Sequence, residues 1–305
     1  MIITVTLNPA VDETIYVETL VPYGVNPVSK SRLDPGGKGI NVSKMIHQLG
    51  ERTLALGFCG GENGRYIQHA LAEIGIPEAL TVTEASTRKN TKIVEIKTGK
   101  TTDMNVQGAP VGKDALTRFM KTYQTYVCEA AVVVLSGSIP QGLEPNIYRE
   151  LCEIARAANC KVVLDASGEA LREGIKGEPL LVKPNIHELE ELVGQKLHTE
   201  EAIIEAARNL LTEQLKHMIV SLGEHGALWI TRENVIRQAV PKVIVKSTVG
   251  AGDSMVAGIA VGLASGLLDK EGFRLGVASS VAAITVEGTA IPKKEVVEKF
   301  LMQLL

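Results

Sequence analysis

This 305-residue sequence lacks the marks of several large functional classes. Its four cysteines, at 59, 128, 152 and 160, form no Cys-x-x-Cys pair. The histidines at 47, 69, 187, 198, 217 and 225 are scattered, without metal-ligand spacing. A disulfide framework and a zinc site are therefore not expected, and a reducing, cytoplasmic setting is. There is no run of Lys and Arg. With a formal charge of −3, neither nucleic acid nor an anionic membrane is an expected partner. The opening stretch MIITVTLNPAVDETIYV has no basic segment and carries Asp12, so it reads as a first strand and not a signal peptide. The longest uncharged run, Ser254 to Leu268, is shorter than the roughly 20 residues that span a bilayer. It reads as a buried helix. No long linker, low-complexity tract or internal repeat is present.

What the sequence does contain is alternation. Residues 2–7, 53–58, 130–137, 161–167, 179–185 and 217–223 read as buried strands. Residues 39–50, 66–76, 145–158, 186–193 and 200–214 carry helical spacing. In the first of these, Ile40, Met45, Ile46 and Leu49 share a face and Gly50 supplies a stop. Continuous apolar strands separated by helices predict an α/β fold with a mainly parallel sheet. Two segments break the rhythm. Residues 14–20 with 28–33, and 90–106 about a Thr-Gly-Lys turn, read as half-polar strands of a small antiparallel sheet. The expected organisation is a core of 1–12, 35–86 and 107–305, with a β-sheet lid of 13–34 and 87–106.

In an open parallel sheet, ligands bind beyond the carboxyl ends of the strands. Five predicted strands end in Asn8-Pro9, Ser136-Gly137-Ser138, Asp165-Ala166-Ser167, Lys183-Pro184-Asn185 and Ser221-Leu222-Gly223, which predicts one continuous polar rim. Other motifs each admit two readings. Gly36-Gly37-Lys38-Gly39 fails the phosphate-loop pattern, because Gly39 follows the lysine. Its glycines still permit close backbone approach, and a cation at a helix start is unfavourable unless an anion is near. The alternative is a Gly-rich turn with a solvated lysine. Asn41, one turn on, could face a polyol hydroxyl. Asp12 is either a turn residue or a carboxylate that accepts hydrogen bonds from two sugar hydroxyls. Arg88 and Lys92 share a face if extended and could hold a phosphate; plain surface charge is the alternative.

Glu188 stands three residues after Asn185, the spacing of a capping box. The functional alternative places both near a Mg²⁺–phosphate group, acting through metal-bound water. Gly250-Ala251-Gly252-Asp253 opens a helix whose amides could cradle an anion. Asp253 either offsets the helix dipole or accepts a hydroxyl proton while a phosphoryl group moves.

Seven motifs then follow one another in order: LNPAVD (7–12), GGKGINVS (36–43), Thr87-Arg88, SGSIPQG (136–142), VKPNIHE (182–188), VSLGEHGAL (220–228) and STVGAGDSMVAG (247–258). In this order they resemble the PfkB (ribokinase-like) family of carbohydrate kinases over essentially the whole chain. The NPAVD and GGKG forms are most similar to its phosphosugar branch. The resemblance implies a three-layer α/β/α core, a β-sheet lid that also forms a homodimer, and use of ATP and Mg²⁺. It implies that Asp253 is the catalytic base and that Gly250, Ala251 and Gly252 form the anion hole. Asp12, Gly37, Lys38, Asn41, Arg88 and Ser138 would hold the phosphosugar, with Lys92 as a further candidate. Lys183, Asn185, Ser221, Gly223, Gly226 and Thr248 would fall on the nucleotide side, with Asn185 and Glu188 toward Mg²⁺. One departure stands out: many members of that branch carry Asn-Arg in the lid where this chain has Asn26-Pro27. The phosphate would then rest more on Lys38, Arg88 and Lys92.

The implied activity is ATP-dependent phosphorylation of a ketohexose phosphate. Fructose 1-phosphate going to fructose 1,6-bisphosphate is the first expectation, with tagatose 6-phosphate and fructose 6-phosphate as alternative acceptors. A non-catalytic sugar-phosphate sensor is the reading from another class.

Overall fold

The computed structural model describes residues 1–267 and 270–304, so Leu268, the end of the long uncharged run, lies outside the described residues. The chain begins with β1 (Ile2–Thr6), then β2 (Ala10–Val17) and β3 (Lys30–Gly36). There follow α1 (Lys38–Gln48), β4 (Thr53–Gly60), α2 (Gly61–Glu73) and β5 (Glu78–Thr83). A hairpin of β6 (Arg88–Glu95) and β7 (Thr101–Met104) comes next. Then come α3 (Lys113–Val127), β8 (Val132–Ser136), α4 (Ile147–Ala157), β9 (Lys161–Asp165), α5 (Gly168–Ile175) and β10 (Leu181–Val182). The chain continues through α6 (Ile186–Val193), α7 (Glu200–Leu210), β11 (His217–Ser221), β12 (Ala227–Ile230) and β13 (Val235–Gln238). Three helices close it: α8 (Ala251–Ala264), α9 (Lys270–Ala283) and α10 (Lys294–Gln303).

Two sheets result. The large one has the order β13-β12-β11-β10-β9-β8-β1-β4-β5 and is parallel from β5 to β11. Its last two strands, β12 and β13, turn back antiparallel. The small sheet has the order β3-β2-β6-β7, with β2 and β6 parallel and both outer pairs antiparallel.

Alternation along the central strands sends successive side chains to opposite faces. Ile3, Val5, Val133, Leu135, Val162 and Leu164 pack with Phe119 and Tyr123 of α3 and with Tyr148 and Leu151 of α4. Ile2, Val132, Val134 and Val163 pack with Met45 and Ile46 of α1, Val256 and Ala260 of α8, and Val277 of α9. The sheet is thus covered on both faces, which is why its strands are apolar throughout. On the α8 side, the helix pair α8–α9 crosses at small residues. A Cβ on Gly258 would stand 2.7 Å from the Leu275 carbonyl and 2.8 Å from the Gly276 Cα. Side chains there would force the helices apart.

The structure refines several boundaries. The strand expected at 179–185 is regular only over Leu181–Val182, and its pairing with β11 resumes as a single bridge at Asn185–Ser221. The helix expected from 66 begins at Gly61, inside the Gly-Glu-Asn-Gly stretch that hid it. Asp12 stands within β2 and not in a turn. Among the described residues, no helix is long and apolar enough to cross a membrane.

Candidate active site

A cavity of about 510 Å³ lies where the ends of β9, β10 and β11 meet the starts of α1 and α8, with the small sheet as its other wall. That volume suits a small-molecule site. From the sugar-side candidates it brings together Asp12, Gly37, Lys38, Asn41, Arg88 and Lys92. From the opposite side come Lys183, Asn185, Glu188 and Ser221, and from the α8 start Gly250, Gly252 and Asp253. Ser138, Gly223, Gly226, Thr248 and Ala251 are not on its wall. The Ser138 hydroxyl instead accepts from Asn8 Nδ2 at 3.1 Å. Gly226 is held against the Gln238 carbonyl, leaving no room for a Cβ. Gly223 and Thr248 are exposed, and Ala251 is the first residue of α8.

At the opening of α8, Gly250 adopts a left-handed conformation, φ 78°, and no side chain caps the helix there. The amides that start the helix are thus not taken by a side-chain cap. Asp253, in the first turn, is buried and turns instead toward α1: Asn41 Nδ2 donates to its Oδ2 at 2.9 Å. Burial pushes the Asp253 carboxyl up to about 6, with the Asp165 charge adding to the rise. Lys38, the Asn41 hydrogen bond and Lys183 oppose the rise without cancelling it.

Lys38 is the first residue of α1, where a cation opposes the helix dipole. The required anion is internal. Asp165, at the end of β9, lies 3.4 Å from Lys38 Nζ and 3.2 Å from Lys183 Nζ. Ser136 Oγ also donates to it at 3.3 Å. Burial alone would raise the Asp165 pKa, but the two lysines outweigh burial and hold the carboxyl below its ordinary value. Lys38 is in turn pushed upward, chiefly by Asp165. One buried carboxylate therefore fixes two cations, one toward each half of the cavity.

On the small-sheet wall, Asn90 is the register partner of Asp12 and donates to its Oδ1 at 2.9 Å. The other carboxylate oxygen lies so close to Gly36 that any Cβ there would collide with it. Burial raises the Asp12 pKa above its ordinary value. Arg88 donates to the carbonyls of Val106 at 2.6 Å and Asn8 at 3.0 Å. Lys92 pairs with Asp103 at 3.2 Å. Asn185 and Glu188 do form the reciprocal capping box of α6, at 2.8 and 2.9 Å, while both still line the cavity.

Several wall residues carried little signal in the sequence. Asp165 showed only as part of a polar strand end; its pairing with two lysines needs the fold. Asn90 and Asp103 become cavity residues through strand register. Thr289 also lines the wall, and its carbonyl is held by Lys44 Nζ at 3.3 Å. No local motif marks it.

A profile of the pfkB family of carbohydrate kinases matches residues 5–295. The chain belongs to this family. It is a phosphotransferase that acts on a sugar hydroxyl, with ATP as a substrate. Among curated relatives, the kinase is 40% identical over 305 residues to the 1-phosphofructokinase of Bacillus subtilis (strain 168), covering 100% of this chain and 97% of the relative. Among solved structures, phosphofructokinase-2 from Escherichia coli in complex with substrates and products superposes with a TM-score of 0.92 at 31% identity. That match covers 99% of both chains. The ribokinase of Arabidopsis thaliana complexed with ribose and ATP shares the fold, with a TM-score of 0.80 at 23% identity over 98% of each chain.

Proposed function

We propose that this kinase phosphorylates fructose 1-phosphate at its 6-hydroxyl to give fructose 1,6-bisphosphate. The observation that carries the chemistry is Asp253: a buried carboxylate beside uncapped amides at a helix start, with a pKa near 6. Such a base is ionised at neutral pH and still basic enough to take a hydroxyl proton. The assignment to fructose 1-phosphate is supported by the 1-phosphofructokinase relatives, which match nearly the full chain.

In this reading the sugar lies against the small-sheet wall. Asp12, fixed by Asn90, accepts hydrogen bonds from its hydroxyls, and Asn41 holds the base. The sugar's own phosphate lies toward Arg88 and Lys92. ATP enters from the β10–β11 side, past Asn185 and Ser221, with its terminal phosphoryl group between Lys38 and Lys183. Asp253 takes the proton of the attacking hydroxyl. The amides at Gly250 to Gly252 and the two lysines stabilise charge on the group in flight. Gly223, Gly226 and Thr248 would shape the outer nucleotide side, and Ser138 would act from behind Asn8.

Mg²⁺ fits this wall as a partner of the nucleotide phosphates. The capping box occupies Glu188 Oε2 and leaves Oε1 outside it. Among the described residues no group of three or more His, Cys, Asp or Glu could enclose a metal. Mg²⁺ keeps several waters and needs only one or two protein carboxylates when phosphates supply the rest. Glu188 and Asn185 would hold such an ion through water, and it would supply neutralisation of phosphate charge.

The small sheet would act as a lid that excludes water. Its exposed Val21, Tyr23, Leu33, Ile96 and Met104 support a homodimer formed through it. The four free cysteines suit a cytoplasmic setting. The deciding experiment is kcat/KM measured side by side for fructose 1-phosphate, tagatose 6-phosphate and fructose 6-phosphate. Fructose 1-phosphate should lead by at least tenfold. Preference for either other sugar overturns the substrate, and tight phosphosugar binding without turnover of any sugar would favour a sensor.

A further inference from the structure

This inference rests on the phosphosugar reading above and concerns how the substrate's own phosphate gains its place. Four cations stand on the cavity wall among the described residues: Lys38, Arg88, Lys92 and Lys183. Three have partners that cannot be given up easily. Lys38 and Lys183 share Asp165, whose side chain is 1% exposed. Drawing either lysine away would remove one of the two counter-charges of a buried carboxylate. The Arg88 bonds to the Val106 and Asn8 carbonyls tie together two chain segments beside β6. Lys92 differs. It is 19% exposed at the wall, whereas its partner Asp103 is 50% exposed. The two are direct cross-strand neighbours in the β6–β7 hairpin. Asp103 can turn into water and regain its hydration, leaving Lys92 in place and no buried charge behind.

We propose that Asp103 is a specificity-determining counter-anion, which occupies Lys92 until the phosphate of a phosphosugar displaces it. A phosphate monoester carries nearly two charges and three terminal acceptor oxygens, so it replaces a single carboxylate at an ammonium with net gain. An unphosphorylated sugar brings no charge to exchange. The pair stays closed against it, and the preference for phosphosugars arises partly from what the wrong substrate fails to displace. Arg88 and Lys92, four residues apart on one strand, then face the same phosphate from one side.

The test compares wild type with Asp103→Asn and Lys92→Met. Steady-state kinetics use fructose 1-phosphate and fructose. Calorimetric titration uses inorganic phosphate with the nucleotide side filled by a non-hydrolysable ATP analogue. Asp103→Asn is expected to lower KM for fructose 1-phosphate, and Kd for phosphate, at least fivefold, with the change falling on KM more than on kcat. Lys92→Met should raise both at least tenfold. Neither substitution should improve fructose. Weaker or unchanged phosphate binding in Asp103→Asn overturns the proposal, as does an equal gain for fructose. Asp103→Ser serves if the asparagine variant folds poorly. Should wild type turn over no phosphosugar, the substrate reading fails, and the phosphate titration still decides the role of Asp103.

Discussion

Asp253 faces opposing demands. Catalysis needs it ionised, while its buried setting favours the proton. With the carboxyl pushed up to about 6, kcat/KM for the sugar should rise with pH through about 6 and level off above it. A pH–rate profile checks this; a limb near the ordinary value of 3.8 would contradict it. Removing the Asn41 hydrogen bond takes away one of the groups that lower this pKa. Asn41→Ala should therefore move the limb to higher pH, separately from any loss of sugar affinity. Asp253→Asn should lower turnover by roughly 10²–10⁴-fold while retaining sugar binding, measurable by calorimetry. The same variant should be more stable. The folded-state pKa lies above the unfolded one, so the folded protein binds this proton more tightly. That contribution is full below 3.8 and is lost as pH rises through about 6. At pH 8 the ionised group costs up to about 3 kcal/mol, and Asp253→Asn recovers part of it. The Tm gap between variant and wild type should close as pH falls from about 6 to 3.8.

At the scale of elements, the site depends on how closely helices approach. α8 carries Asp253 at its start and Gly258 at its crossing with α9. Gly258→Val should destabilise the protein by about 2–3 kcal/mol, because the new side chain meets backbone and not a flexible neighbour. Urea denaturation measures the loss. Activity at saturating substrate should fall as well, since any shift of α8 moves the base away from Asn41. The elements also show what local sequence can reveal. The strands at 2–7 and 161–167 were legible because their apolar runs are continuous. The α6 start was legible because a capping box is written within four residues. By contrast, Asn90 acquires its place beside Asp12 from the parallel register of β2 and β6, and Asp165 from two lysines distant in sequence. Those contacts are set by tertiary pairing, so no window of sequence contains them.

At the scale of the whole molecule, the ordered motifs carried the architecture, because each falls at a junction between elements: 36–43 opens α1, 182–188 joins β10 to α6 and 247–258 opens α8, while 7–12 joins β1 to β2 and 220–228 joins β11 to β12. The antiparallel end of the large sheet, β12 and β13, was not legible: its strands are short and follow no helix. That end holds a second titrating group. Trp229 Nε1 donates to His217 Nδ1 at 3.2 Å, and burial lowers the His217 pKa to about 4. The folded state therefore holds this imidazole neutral. Its contribution to stability is present above the ordinary 6.5 and is lost as pH falls toward 4. The Tm advantage of wild type over His217→Gln should accordingly shrink across that interval, as read by calorimetry from pH 7 to 4.

The sheet order also has a consequence for how the protein is made. β1, the first strand to be synthesised, lies between β4 and β8, and the cavity wall runs from Asp12 to Thr289. On a ribosome adding about 5–20 residues per second, roughly 15–60 s separate the first of these residues from the last. For most of that time the nascent chain holds the sugar-side residues from Asp12 to Lys92 and no base, because Asp253 arrives only with α8. Chains arrested before Asp253 lack α8 and α9, which cover one face of the large sheet, and should therefore neither fold stably nor bind phosphosugar, so the substrate can assist only the final stage of maturation.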